Sequence, residues 1–196
     1  MNLISTLAIA MGAGWVSGIN LYAAVATLGL LGRFANLRLP GELDILTSWW
    51  IIGLAVALYV VEFVADKVPY IDSVWDAIHT FIRVPAGAVL AATAFGDFDR
   101  GVQVAAFLLG GGLALSAHGA KAGARAAINL SPEPASNIVA SLTEDVIAVG
   151  SILLSVFAPF ILFAVIAGFV VLSFLMARKI LIAMKAMMLR LRQAFG

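Results

Sequence analysis

The stretch from Leu3 to Leu31 carries no charged side chain. A membrane-spanning helix needs about 20 mostly apolar residues, so this stretch alone is long enough to cross a bilayer. In lipid the backbone polar groups must be satisfied internally, which here points to helices. Five further apolar stretches follow. Their breaks predict helices from Trp49 to about Lys67, Asp72 to Phe95, Val102 to Asn129, Asn137 to Phe157, and from Phe160 onward. With 63% hydrophobic and 12% charged residues, the chain is expected to be an all-α polytopic membrane helical bundle of about six spans. Residues 1–175 form the expected transmembrane domain. Residues 176–196 form a basic amphipathic tail with Arg178, Lys179, Lys185, Arg190 and Arg192, lying in the cytoplasm or at the membrane surface. The absence of cysteine excludes disulfides and thiolate metal sites. The N-terminal MNLISTLAIAMGAGW lacks the basic region of a cleavable signal and is taken as the start of the first span.

Gly12, Gly14, Ser17, Gly18 and Asn20 interrupt the first stretch. Close helix packing through small residues is the favoured explanation, and a break near Ser17-Gly18-Ile19-Asn20 is the other. Trp49 and Trp50 mark an interface. Pro85, followed by Gly87, predicts a kink in the third helix. Gly110-Gly111-Gly112 offers close packing or bending in the fourth. The basic tail places the C-terminus in the cytoplasm, and six spans bring the N-terminus to the same side. The expected setting is the bacterial inner membrane. Small residues on the first and fourth helices also offer faces for a homo-oligomer, and nothing points to nucleic acid.

Ionisable side chains at bilayer depth are expensive, so they usually face a protein interior or a water-filled path. Here they fall into stripes. Glu62 and Asp66 are four residues apart, on one helix face. Asp72, Asp76, His79 and Arg83 share a face of the next helix, and His118, Lys121, Arg125 and Asn129 a face of the fourth. Asn137, Ser141 and Glu144 do the same on the fifth, with Ser136 and Asp145 beside them. Such stripes are satisfied by facing one another. The second and third helices form one hairpin and the fourth and fifth another, each with a proline-bearing turn. Aligning Glu62 and Asp66 with Arg125 and Asn129, and Pro69, Asp72, Asp76 and His79 with Pro134, Asn137, Ser141 and Glu144, suggests an internal repeat. Transporters often place their site at such a repeat interface.

Acidic residues outnumber basic ones in this polar set, which favours a cation as the bound species. Glu62, Asp66, Asp72, Asp76, His79, Glu144 and Asp145 are the candidate ion-binding or proton-relay residues. Lys67, Arg83, His118, Lys121 and Arg125 are candidates for charge balance or for holding an anion, and Asn129, Ser136, Asn137 and Ser141 for a polar lining. Asp72, Asp76 and His79 are also candidate ligands of a divalent metal ion, because carboxylate and imidazole suit magnesium, manganese, zinc or iron. The expected function is transport or channelling of a small ion. No nucleophile elbow, zincin motif, phosphate loop or dinucleotide fingerprint is present. A membrane enzyme acting on a lipid or phosphorylated substrate is therefore the second expectation, and a membrane scaffold the third. A purely structural alternative stands beside these: Lys121 and Arg125 neutralise Glu62 and Asp66, Asp72 caps a helix, and Arg83 pairs with Asp76.

SGINLYA at Ser17 to Ala23, VEFVADKVPYIDSVWDAIHTFIR at Val61 to Arg83, HGAKAGAR at His118 to Arg125, and NLSPEPASN with the following SLTED carry a resemblance. Together they resemble the bacterial integral-membrane family catalogued as domain of unknown function 4126, over about Gly12 to Phe157. The resemblance implies a multi-span membrane fold and brings no activity with it. Glu62-Phe63-Val64-Ala65-Asp66-Lys67 is also similar to the acidic helix motif of the manganese and calcium cation–proton exchangers. In those proteins the spacing is one residue shorter and the motif occurs twice. A second copy here would fall at Arg125 to Asn129, where no acid stands.

Overall fold

The structure, a computed structural model, describes residues 2–35, 37–130 and 133–195. The chain divides after Leu162 into two units. The first holds helices α1 (Leu3–Phe34), α2 (Trp49–Ala65), α3 (Ile71–Ala94), α4 (Arg100–Ile128) and α5 (Pro134–Phe157), with the start of α6 (Pro159–Phe195). A 3-10 turn, Leu43–Thr47, precedes α2. The second unit is the rest of α6, helical without interruption to Phe195, with Arg178, Lys179 and Lys185 exposed. The side chains of Arg190 and Arg192 lie outside those described, as does the expected turn at Ser131–Pro132.

Five of the helices are long and apolar enough to cross a membrane, and α2 is a shorter apolar helix of 17 residues. At 1.5 Å per residue α2 spans about 26 Å, slightly less than a bilayer's hydrocarbon core of about 30 Å. The pattern of burial is that of a membrane protein. Helix α3 buries Asp72, Asp76, His79 and Arg83 and exposes Val74, Ile78 and Phe81. In water such a helix would turn the other face inward; in lipid the charged stripe is the one that must be hidden.

Helix α1 is the axis of the first unit and packs against α2, α3, α4 and α5, while α3 and α4 pack along each other. The two expected hairpins are present in chain order, but the close pair is α3 with α4, one helix from each, and α2 and α5 each lie against α1. Glycine makes this approach possible. A Cβ on Gly14 would sit 2.9 Å from the Cα of Gly110 on α4, and one on Gly87 of α3 would lie 2.9 Å from the Gly14 carbonyl oxygen. Backbone meets backbone at this seam, as small residues allow between membrane helices.

Both expectations for the first stretch hold. Besides the glycine packing, α1 is broken at Asn20, whose backbone (φ −150°, ψ 97°) is extended. Asn20 Oδ1 accepts a hydrogen bond from the Ala23 N–H at 2.9 Å. That is the geometry of an N-cap, here beginning a second half-helix inside the bundle. The two ends meet opposite charges. Lys121 Nζ donates to the Ile19 carbonyl at 3.2 Å, and Asp145 Oδ1 accepts from Asn20 Nδ2 at 3.2 Å. A carbonyl-rich helix end thus faces an ammonium, and an N–H-rich end faces a carboxylate. Asn20→Ala is expected to cost about 0.5–2 kcal/mol, the range for a lost N-cap, read as a lower unfolding midpoint in detergent. An unchanged midpoint would show that the break does not depend on the cap.

A buried ionic network as the candidate functional site

The four polar stripes converge. Glu62, Asp66, Asp72, Asp76, Arg83, Lys121 and Arg125 are all buried. Arg83 on α3 donates to Glu62 Oε1 on α2 at 2.8 Å and to Asp76 Oδ1, about two turns back on its own face, at 2.7 Å. Lys121 on α4 lies 2.8 Å from Asp66 Oδ2, 3.3 Å from Glu144 Oε2, 3.5 Å from Glu62 Oε1 and 3.6 Å from Asp76 Oδ1. Arg125 forks onto Glu144 of α5 with contacts of 3.0 and 2.7 Å, and also donates to the Asp66 carbonyl at 2.9 Å. Planar two-point pairing of this kind is the strong form of the arginine–carboxylate contact.

Polar side chains complete the lower part of the cluster. Asn129 Nδ2 donates to both oxygens of Asp72, at 2.9 and 3.0 Å, and Asp72 Oδ1 also accepts from the Ser73 N–H at 2.7 Å. Asn137 Nδ2 donates to Asn129 Oδ1 at 3.1 Å. Lys67, in the turn after α2, donates to Ser141 Oγ at 3.1 Å and to the Phe63 carbonyl at 2.9 Å. Burial pushes the Lys67 ammonium below its ordinary pKa, and the Asp145 and Asp66 carboxylates push it back up. Ser136 is half-buried next to Asn137 and takes no part in the described hydrogen bonds of the cluster.

The hydrogen bonds assign the histidines. An arginine nitrogen can only donate, so the 3.3 Å contact from Arg83 Nη1 makes His118 Nδ1 an acceptor. The ring's proton then sits on Nε2 and is donated to Thr80 Oγ1 at 2.6 Å. His79 donates from Nδ1 to the Trp75 carbonyl at 2.8 Å, and its Nε2 shares a hydrogen bond of 3.0 Å with the Tyr22 hydroxyl. The His118 ring is neutral in this arrangement.

Asp72, Asp76 and His79 do not meet as a ligand set: Asp72 faces Asn129, Asp76 faces Arg83 and His79 faces Tyr22. Among the described residues no three of His, Asp and Glu are placed to hold a metal ion. The ion pairs of the purely structural alternative are present, Lys121 with Asp66 and Arg83 with Asp76, but Asp72 does not cap its helix: Tyr70 is the N-cap, and Asp72 lies in the first turn, accepting from the Ser73 N–H. The ion pairs leave a charge imbalance, however. Five carboxyl groups (Glu62, Asp66, Asp72, Asp76 and Glu144) share three cations, a formal excess of two negative charges.

Helix α1 contributes residues that the stripe pattern did not reveal. Tyr22 meets His79, Asn20 meets Asp145, and Ser17 Oγ donates to the Arg83 carbonyl at 2.7 Å. Ser17 and Asn20 interrupt an apolar run and, with Tyr22, lie in the SGINLYA motif, which carries the family resemblance but gives none of them a role.

These features define a class: a multi-pass helical membrane protein with a charged network buried around a broken central helix. The chain belongs to the family described as Domain of unknown function (DUF4126), which it matches over residues 7–179. No curated protein and no solved structure matches it.

Proposed function

We propose that the protein moves a small cation across the membrane through the network between α2, α3, α4 and α5. The observation that carries this is the excess of two buried negative charges, since burying an ion uncompensated costs several kcal/mol. A scaffold gains nothing from such a site, whereas a cation pathway requires one. The broken α1 supports the same conclusion. Interrupted helices at membrane depth are tolerated where they are buried in protein or line a cavity, and their freed backbone groups serve transporters as ion contacts. Glu144, 16% exposed, and half-buried Lys67 form the more open side of the network, taken here as its cytoplasmic mouth. The setting is the bacterial inner membrane with both termini in the cytoplasm. Glu62, Asp66, Asp76 and Asp145 handle the cation, while Arg83, Lys121 and Arg125 set the charge.

The test is flux in sealed proteoliposomes across a panel of monovalent and divalent cations, with and without a pH gradient. The Asp76→Ala/His79→Ala variant is the control. Cation-selective flux that this variant loses is the expected result. No flux of any cation from folded, inserted protein would overturn the proposal and turn attention to lipid and phosphate-ester substrates.

A further inference from the structure

The excess charge has to be compensated by something, and the free oxygens show what. Asp72 and Glu144 have both carboxylate oxygens occupied by donors, so they are the settled anions. Within the network Glu62 Oε2, Asp66 Oδ1 and Asp76 Oδ2 are buried without a hydrogen-bond partner, as is Oδ2 of Asp145 at its edge, whose Oδ1 is held by Asn20. Glu62, Asp66 and Asp76 are 0%, 3% and 2% exposed, while Asp145 is half-buried. A buried carboxylate with an idle oxygen is the costliest form of that group, and adding a proton removes the charge at its source. The three acids do not converge as a ligand set, so among the described residues they form no metal site.

The surrounding groups do not cancel the excess. Arg83, Lys121 and Arg125 are already counted, His118 is neutral in its hydrogen-bonded tautomer, and His79 bonds the Trp75 carbonyl and the Tyr22 hydroxyl rather than any of the five acids. Tyr22 from α1 hydrogen-bonds His79 at 3.0 Å. At the edge Lys67 and Asp145 offset each other, with Tyr59 beside them.

From these contacts we infer that the network holds two protons, one of them on Glu62, and that the proton is the ion this site handles. This rests on the cation reading above and narrows it. Glu62 is singled out because each cation has a closer or two-point partner elsewhere: Arg83 with Asp76 at 2.7 Å, Lys121 with Asp66 at 2.8 Å, and Arg125 with Glu144.

Infrared spectroscopy of the purified full-length protein at neutral pH tests this without any transport assay. A protonated carboxyl gives a C=O stretch separate from the amide and carboxylate bands, and the stretch shifts down in heavy water. The expected spectrum shows it in the wild-type protein, reduced in Glu62→Gln and lost in Glu62→Gln/Asp66→Asn, where three carboxylates face three cations. Absence of the band from the folded wild-type protein would overturn the inference. So would its persistence at full strength in the double variant, or its appearance only after sodium, potassium or magnesium is removed. The readout separates the two proposals. The band without flux leaves the proton site standing and removes transport, whereas flux without the band does the opposite.

Discussion

Arg83→Met is expected to destabilise the protein by about 3–5 kcal/mol, the cost of removing one partner from a buried ion pair. Arg83 is fully buried and is the nearest cation to both Glu62 and Asp76. Methionine keeps much of the volume and none of the charge. The excess of negative charges then rises from two to three, with Lys121 left to serve Glu62 and Asp76 from 3.5 and 3.6 Å. Equilibrium unfolding in mixed micelles measures the loss. Adding Glu62→Gln and Asp76→Asn to Arg83→Met should recover much of it, because the charges that Arg83 had balanced are gone. A cost of only about 0–1 kcal/mol, the scale of a solvated pair, would contradict the burial of this network.

Glu62→Gln/Asp66→Asn is expected to behave in the opposite way. Removing two acids leaves Asp72, Asp76 and Glu144 against Arg83, Lys121 and Arg125, and every cation keeps a carboxylate within 4 Å: Asp76 at 2.7 Å for Arg83, Glu144 at 3.3 Å for Lys121 and at 2.7 Å for Arg125. Both replacements keep the shape of the side chain and supply an amide hydrogen-bonding group. The unfolding midpoint should hold or rise in this variant. Active sites commonly retain charge arrangements that cost stability, and neutralising them commonly restores it. A fall as large as that of Arg83→Met would mean that the two acids are structural counterions and nothing more.

Most of this network was legible in the sequence, for a physical reason. In an apolar chain a charge is conspicuous, and the four-three-four spacing of Asp72, Asp76, His79 and Arg83 fixes their common face. The all-helical fold was legible on the same grounds. Pairwise geometry was not. Nothing in the spacing shows that Asp76 turns to Arg83 while His79 turns to Tyr22, so the metal trio looked plausible as a list and disperses in space. The break at Asn20 was one of two open outcomes because small residues signal close packing and bending alike; Gly14 supplies the first and Asn20 the second. The aligned hairpins did not reveal that α3 and α4, from different hairpins, form the close pair. That pairing follows from glycines on α1, α3 and α4 that no repeat pattern links.

Ion movement by the wild-type protein and by Glu62→Gln/Asp66→Asn, reconstituted at equal amounts and driven by an imposed membrane potential, tests the central claim most directly. The account predicts cation movement in the wild-type vesicles and the background of empty liposomes in the variant, with both proteins folded. Equal movement in the two, or none in either, would contradict it.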